Sequence, residues 1–519
     1  MQPAWPVPET FNAATYFVDR HLEEGRGEAV AIYFGDAQIT YGEVARRVNQ
    51  VGHALRRLGV RLEERVALLL LDGPEFVYSF FGAMKIGAVP LPLNTLLQPP
   101  SYAYILNDSR ATVAIVSQEL LPQLAPVRRA LRYLKHLVVV GTAEAALSFW
   151  PWIEGEATAL EAEPTSKDDM AFWLYSSGTT GMPKGVVHLH HDMSFALEHY
   201  ARGVLGMHAG DRCFAIPKLF FAYGLGASLY FPFGVGASTV LYPGPFAPPT
   251  VFSLLQRYRP TLFFGVPTAY AALLAHHDAP EDLSFLRLCV SAGEALPPAL
   301  YQRWRERFGV EILDGIGTTE AAHIFISNRP GRVKPGASGE VVPGYAARVV
   351  DDEGREVPPG EIGNLLIKGD SVAPFYWHQH DKSKQTFLGD WYATGDKYMR
   401  DEEGYFYYVG RADDLFKVGG QWFSPAEVEA LVMEHPAVLE CAIVGAQDAD
   451  GLVKPRAHVV LKPGVNPSPE LAQEIQEHVK QRVAPAYYKY PRWVVFASEL
   501  PKTATGKIQR YKLRQEATA

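Results

Sequence analysis

The sequence predicts an α/β protein: a large N-terminal domain of two α/β halves plus a β-rich subdomain, then a small α+β C-terminal domain. Three observations carry this. Apolar strands alternate with amphipathic helices early in the chain and again around residues 262 to 312, which implies covered parallel sheets. Between Gly336 and Tyr408 the texture changes to short apolar pieces cut by Gly, Pro and Asp. Beyond Arg411 the chain has helix and strand units of its own. A length of 519 residues suits about three domains. The expected division is 1–412 and 413–519, the second part being of acceptable domain size.

The elements follow in order. Thr40-Tyr41-Gly42-Glu43 is a capping-box pattern, and Val44, Val48, Val51, Leu55 and Leu58 follow at helical spacing before Gly59. Val66 to Leu71 is a continuous apolar run, Glu75 to Ile86 reads as a helix, and Val89 to Leu93 and Val113 to Val116 read as strands. In the second half, strands at Leu262 to Val266 and Leu286 to Ser291 precede a helix at Pro298 to Phe308. The C-terminal part offers helices at Pro425 to Glu434 and Glu470 to Arg482, with strands at Val438 to Gly445 and Ala457 to Leu461. No fixed-period repeat or low-complexity tract is visible.

Composition narrows the function classes. A formal net charge of −8, from 57 acidic against 49 basic residues, argues against nucleic acid as a partner. Cys213, Cys289 and Cys441 lie far apart, so neither a disulfide framework nor a zinc site is expected, and a reducing cytoplasm is the default. The N-terminal stretch, with Pro3, Pro6, Pro8 and acidic residues, is not expected to be a secretory signal. Leu219 to Tyr242 carries no charge, but Gly224, Gly226, Pro232, Gly234 and Gly236 interrupt it, so buried core around a pocket is expected rather than a membrane span.

The chemistry is concentrated in six strings. Tyr175-Ser176-Ser177-Gly178-Thr179-Thr180-Gly181-Met182-Pro183-Lys184-Gly185 is rich in hydroxyls and glycines, with one lysine, between apolar runs. Such a loop can turn N–H and O–H groups inward as a nest for phosphates, and the ammonium adds a point charge. Its spacing is not G-x-x-x-x-G-K-S/T, so a Walker-type NTPase is disfavoured. Ser291-Ala292-Gly293-Glu294-Ala295-Leu296 joins a strand to a helix, with small residues that let a flat base approach the backbone. Asp314-Gly315-Ile316-Gly317-Thr318-Thr319-Glu320 places a carboxylate beside two hydroxyls, which suits a magnesium ion bridging phosphates. Asp396 and Arg411, in Tyr392-Ala393-Thr394-Gly395-Asp396 and Tyr408-Val409-Gly410-Arg411-Ala412-Asp413-Asp414, can each bond vicinal ribose hydroxyls. Finally, Pro501-Lys502-Thr503-Ala504-Thr505-Gly506-Lys507 lies in a basic segment where nine Lys or Arg between Lys480 and Arg514 face only Glu499.

Together these strings resemble, in order and over nearly the whole chain, the signatures of the adenylate-forming superfamily of acyl- and aryl-CoA synthetases, peptide-synthetase adenylation domains and luciferases. The resemblance implies ATP, CoA and Mg2+ as cofactors. It implies Ser176, Ser177, Gly178, Thr179, Thr180, Gly181 and Thr319 at the ATP phosphates, with Lys184 as a catalytic residue. By the same resemblance Gly293, Glu294, Ala295, Asp314 and Gly315 meet the adenine, Asp396 and Arg411 the ribose, and Glu320 the metal. Lys507 matches the catalytic lysine, Asp413 the hinge of a mobile C-terminal domain, and Gly419 and Gly420 the CoA channel.

Phe-Phe-Ala-Tyr-Gly-Leu-Gly from Phe220 and Glu-Ala-Ala-His-Ile-Phe from Glu320 look like the strings of benzoate-CoA ligases, where the matching Ala222, Tyr223, Gly317, His323 and Ile324 line the ring pocket. An aromatic and small-residue wall of this kind suits one planar ring better than a long acyl chain. Tyr223 and His323 are expected to close the far side of the pocket. The expected partners are thus a small aromatic carboxylic acid, ATP and CoA, with no membrane association and either a monomer or a homodimer. Ala484 to Pro491 departs from the pattern by two extra residues near the thiol tunnel. An enzyme loading a separate carrier protein, a luciferase-like oxygenase and a silent nucleotide-binding protein are the rival readings. The chain's end at Ala519 without a carrier domain counts against the first, and the presence of both Lys184 and Lys507 against the last.

Overall fold

The structure is a computed structural model that describes residues 7–142, 146–176, 182–280, 282–412, 414–418, 421–448, 451–484, 486–502 and 508–518. They form two compact units, one of Met1–Ser177, Pro183–Ala347 and Ile367–Tyr392, the other of Arg348–Leu366 and Ala393–Ala519.

The first unit contains both expected α/β halves. One is a parallel sheet in the order Val89–Pro92, Arg65–Leu69, Val113–Ser117, His136–Val140, Leu147–Ser148. The strands Arg65–Leu69 and Val113–Ser117 are buried on both faces, which is why Val66 to Leu69 and Val113 to Val116 read as unbroken apolar runs. The helix Tyr41–Arg57 begins at the expected cap, where Thr40 Oγ1 accepts the Glu43 N–H at 3.2 Å. Only half of the capping box forms. Thr40 ends a strand paired with Val30, and the Glu43 carboxylate turns instead to Arg46 and Arg47. This helix meets Pro74–Lys85 closely at Gly82, where a Cβ would lie 2.8 Å from Val51 Cβ and 3.0 Å from Val48 O.

The second half is a nine-stranded sheet whose centre, Ser238–Val240, Arg212–Ala215, Leu262–Gly265, Leu288–Ser291 and Ile312–Gly317, is parallel. Ile324–Ser327 then adds antiparallel to Ile312–Gly317. The expected helix Pro298–Phe308 covers the sheet with Leu300, Tyr301, Trp304 and Phe308. The uncharged stretch after Leu219 is helical from Ala222 to Val235, with Leu225, Ala227, Leu229, Phe231 and Phe233 fully buried. Its glycines are close approaches, since a Cβ on Gly234 would lie 2.2 Å from Leu197 Cδ2. No helix among the described residues is long and apolar enough to cross a membrane.

In the second unit, Val438–Gln447, Val453–Leu461 and Trp493–Phe496 form a three-stranded sheet. The helices Pro425–Met433 and Pro469–Val483 pack on it through Val428, Val432, Ile475 and Val479, as their spacing predicts.

Candidate active site

The loop expected to hold phosphates joins the strands of an antiparallel hairpin in which Met170–Ser176 pairs with Lys184–Leu189 and Ser176 stands opposite Lys184. The hairpin holds the two ends of the loop at one rung of a ladder. Ser177, Gly178, Thr179, Thr180 and Gly181 lie outside the described residues. Lys184 Nζ is 3.9 Å from Glu320 Oε1 and 4.2 Å from the centre of the Tyr376 ring.

Glu320 sits in a tight turn, Thr319–Ala321, that interrupts the passage from Ile312–Gly317 to Ile324–Ser327. Its carboxylate is buried, yet each oxygen has a donor: Tyr376 O–H to Oε1 at 2.7 Å and Tyr392 O–H to Oε2 at 3.2 Å. The turn's carbonyls are drawn outward. Thr319 O accepts from His188 Nε2 at 2.7 Å, Glu320 O from the Ala373 N–H at 2.7 Å, Ala321 O from Ser371 Oγ at 2.9 Å and Ala322 O from Tyr230 O–H at 3.3 Å. Ala322 is held at φ +63°, a left-handed conformation unusual for alanine and a sign that the surroundings fix this turn. One bond on each Glu320 oxygen leaves lone pairs, and Mg2+ typically takes one or two carboxylates beside substrate phosphates, so the residue fits that ion. No group of three or more metal-binding side chains exists among the described residues, so a protein-only cage is not formed there.

In the segment expected to meet adenine, Asp314 is the register partner of Ser291, with Gly293, Glu294 and Ala295 exposed beyond the strand end and Gly315 next along. The Leu296 N–H reaches its Oδ2 at 3.3 Å, and Oδ1 has no partner among the described residues. Burial pushes this carboxyl up to about 8 from its ordinary 3.8, against the lowering effect of the Leu296 N–H. Between those values the folded chain keeps a proton that the unfolded chain releases, so the group's stabilisation is complete below about pH 4 and is lost as pH rises to about 8. Asp314→Asn should therefore flatten the fall in stability over that window, which for one group reaches about 1.4 kcal/mol per pH unit. Tm against pH for both proteins is the measurement, and parallel curves would refute a protonated Asp314.

The five residues expected at the acyl pocket are brought together. Tyr223 O–H donates to Val290 O at 3.0 Å and Gly265 O at 3.1 Å, tying it to the ends of two central strands. His323 Nε2 lies 3.2 Å from Tyr223 O. A carbonyl only accepts, so this nitrogen carries the hydrogen. Burial lowers His323 to about 3, leaving a neutral ring packed against Phe231 and Tyr200 with centres 4.4 and 5.4 Å away. Ile324 is the register partner of Gly317, and Ala222 is buried beside Tyr223.

In the second unit Asp396 and Arg411 face each other on adjacent strands, Arg411 Nη1 donating to Asp396 Oδ1 and to Thr394 O, both at 3.0 Å. The bond to Arg411 orients the acid. Asp413, Gly419, Gly420 and Lys507 lie outside the described residues. In the longer segment from Ala484 to Pro491, Lys489 pairs with Glu427 at 2.6 Å.

Three partners in this site were not read from the sequence. Tyr392 lies in a string considered only for Asp396, while Tyr376 and His188 lie far from Glu320 in the chain and belong to no string that names it.

Comparison with known proteins shows the family. The AMP-binding enzyme family matches residues 18–377, and the AMP-binding enzyme C-terminal domain matches 427–507. A benzoate–CoA ligase of Thauera aromatica is 50% identical over 517 residues, covering 99% of this chain and 97% of that protein. Among solved structures, the anthranilate CoA ligase AuaEII in complex with anthranoyl-AMP superposes with a TM-score of 0.93 at 50% identity, covering 99% of this chain and 98% of the other. A benzoate CoA ligase from Burkholderia xenovorans LB400 gives 0.88 at 45% identity, covering 97% and 100%. With both domains matched, a large N-terminal and a small C-terminal one, the chain belongs to the AMP-binding enzyme family and has the adenylate-forming fold.

Proposed function

We propose that this protein is an AMP-forming aryl-CoA ligase that activates benzoate, or a small substituted benzoate, as an acyl-adenylate and transfers the acyl group to CoA. The carrying observation is the packed Tyr223–His323 wall, with Gly317 and Ile324 beside it, on the strand pair whose connecting turn holds Glu320. The names of the relatives above support the same class of acid.

In the first half-reaction the substrate carboxylate attacks the α-phosphorus of ATP and pyrophosphate leaves. The protein's part is to position the reactants and neutralise charge. Lys184 and the loop from Ser176 to Gly181 take phosphate oxygens, with Thr319 beside them. Glu320 is the residue that would hold Mg2+, which when bound supplies neutralisation of the phosphate charge. Asp314, protonated at neutral pH, can both donate to and accept from the edge of adenine, beside Gly293, Glu294, Ala295 and Gly315, while Asp396 and Arg411 meet the ribose. Lys507 bridges the carboxylate and the α-phosphate.

In the second half-reaction the CoA thiolate attacks the acyl carbonyl, the bond to phosphate breaks and AMP leaves. We assign the change of pose between the two steps to the mobile domain 413–519 turning at Asp413, with Gly419 and Gly420 lining the thiol channel. A reducing cytoplasm suits the three buried, unbridged cysteines.

A substrate panel tests the assignment. Benzoate and its small derivatives are expected to support CoA-dependent AMP formation far better than acetate or palmitate. A panel in which a long-chain acid outranks every benzoate overturns it, and pyrophosphate release without any CoA-dependent step points to a carrier protein instead.

A further inference from the structure

His188 and Asp192 form a buried pair that the roles above leave unused. His188 lies on the strand that leaves the phosphate loop and is 0% exposed, and Asp192, at 1%, opens the helical turn that follows. The Nδ1 of His188 is 2.7 Å from Asp192 Oδ2, which also accepts the Leu189 N–H at 3.1 Å. Its Nε2 is 2.7 Å from Thr319 O, a group that only accepts, so Nε2 carries a hydrogen and donates it. The imidazole lies flat on Phe172, with centres 4.8 Å apart and planes at 14°. Bonded at both nitrogens and covered on one face, the ring is fixed in place.

What the ring fixes is the approach of two pieces of the site. Side chains on a strand repeat every second residue, so Lys184 and His188 point to the same side of the hairpin. The strand meets the Thr319–Ala321 turn at two points: Lys184 near the Glu320 carboxylate and His188 on the neighbouring Thr319 carbonyl. The contact at Lys184 is long, 3.9 Å, and cannot set the spacing by itself. Besides His188, Thr319 O receives the Ala322 N–H of its own turn at 3.2 Å, a bond that does not reach the hairpin.

We propose that the His188–Asp192 pair is a positioning device for the adenylation step. It holds the phosphate-loop strand against the Thr319–Glu320 turn, so that Lys184 and Glu320 meet the magnesium–ATP complex at a preset separation. Asp192 orients the ring, and the ring carries that orientation to Thr319, as a carboxylate does for an imidazole in an outer coordination shell. The inference rests on the AMP-forming reading above and adds to it residues that need never touch ATP or the acid.

The experiment compares His188→Gln, whose amide stands where Nε2 stood, with His188→Asn, whose amide stands where Nδ1 stood, and with His188→Ala. ATP binding is measured calorimetrically with and without magnesium in the absence of any acid. Single-turnover adenylation of benzoate is measured alongside thiolation of supplied benzoyl-adenylate. The expected result is a loss of about 10- to 100-fold, in adenylation rate and in the magnesium-dependent part of ATP affinity, for the Asn and Ala variants, with Gln recovering most of it. Metal-free ATP binding, thiolation and the Tm of the Gln and Asn variants should stay close to the wild type. Equal values for Gln and Asn, or an equal loss in both half-reactions, would overturn the proposal. If the wild type itself turns over no benzoate, the aryl-acid reading fails, while the magnesium-dependent ATP binding of the variants still decides the role of His188.

Discussion

Glu320→Ala is expected to slow adenylation by about 10²- to 10³-fold, the loss typical when one preorganised electrostatic contact to a transition state is removed. The geometry makes the effect large because the carboxylate is shared. Tyr376 and Tyr392 lose their buried acceptor, Lys184 loses the negative charge 3.9 Å away, and the Mg2+ that Glu320 would hold loses that carboxylate. Glu320→Gln separates these contributions. Its amide oxygen still accepts from one tyrosine, so stability should largely return, while the missing charge keeps adenylation slow. Thiolation of supplied benzoyl-adenylate should survive in both variants, because pyrophosphate has left before that step. Single-turnover pyrophosphate release checks the first half-reaction, and a Gln variant as fast as the wild type would exclude a charge role for Glu320.

Gly317→Ala is expected to damage the acyl pocket from within the backbone. A Cβ there would stand 2.4 Å from His323 O, 2.6 Å from His323 C and 2.8 Å from Ile324 N, none of which belongs to a flexible side chain. The two strands are already irregular at this rung, with a register shift between Ile316 and Gly317. Overpacking of this kind costs about 1 to 3 kcal/mol, and the segment pushed aside carries both His323 and Ile324. The kcat/KM for benzoate should fall about tenfold or more, KM carrying more of the change than kcat, with a lowered Tm. Unchanged kinetics and Tm would place Gly317 away from the ring.

How much of this was legible in the sequence depended on the range of the interactions involved. The helix Tyr41–Arg57 could be read because its cap and its apolar face lie within one stretch, and Arg65–Leu69 and Val113–Ser117 because full burial leaves an unbroken apolar run. The strands Arg212–Ala215 and Ser238–Val240 are short and enter the sheet through neighbours distant in the chain, so periodicity did not mark them. In the site, hydroxyls, glycines and charges at fixed spacing were visible as strings. The groups that orient them were not. Tyr376 is an unremarkable aromatic until Glu320 stands beside it, and His188 ends an apolar run like many polar residues at the end of a strand. Asp314 was visible as a residue, but its protonation comes from burial that only the packed structure supplies.

The nine-stranded sheet also constrains the order in which the chain assembles. Val30–Phe34 is paired in parallel with Ser238–Val240, Ile32 facing Thr239 and Tyr33 facing Val240, and it carries the hairpin partner Ala37–Thr40 on its other side. During synthesis this hairpin leaves the ribosome about two hundred residues before the strand it must join, a contact order that slows folding. The strands from Arg65–Leu69 to Leu147–Ser148 follow one another closely and can close as a unit while the hairpin waits. Meanwhile Val30–Phe34 offers an unpaired backbone edge, and an isolated two-stranded hairpin is marginal in water. A nascent chain that stalls before Val240 therefore exposes a sticky edge beside a finished half, which makes that interval the natural point for chaperone capture.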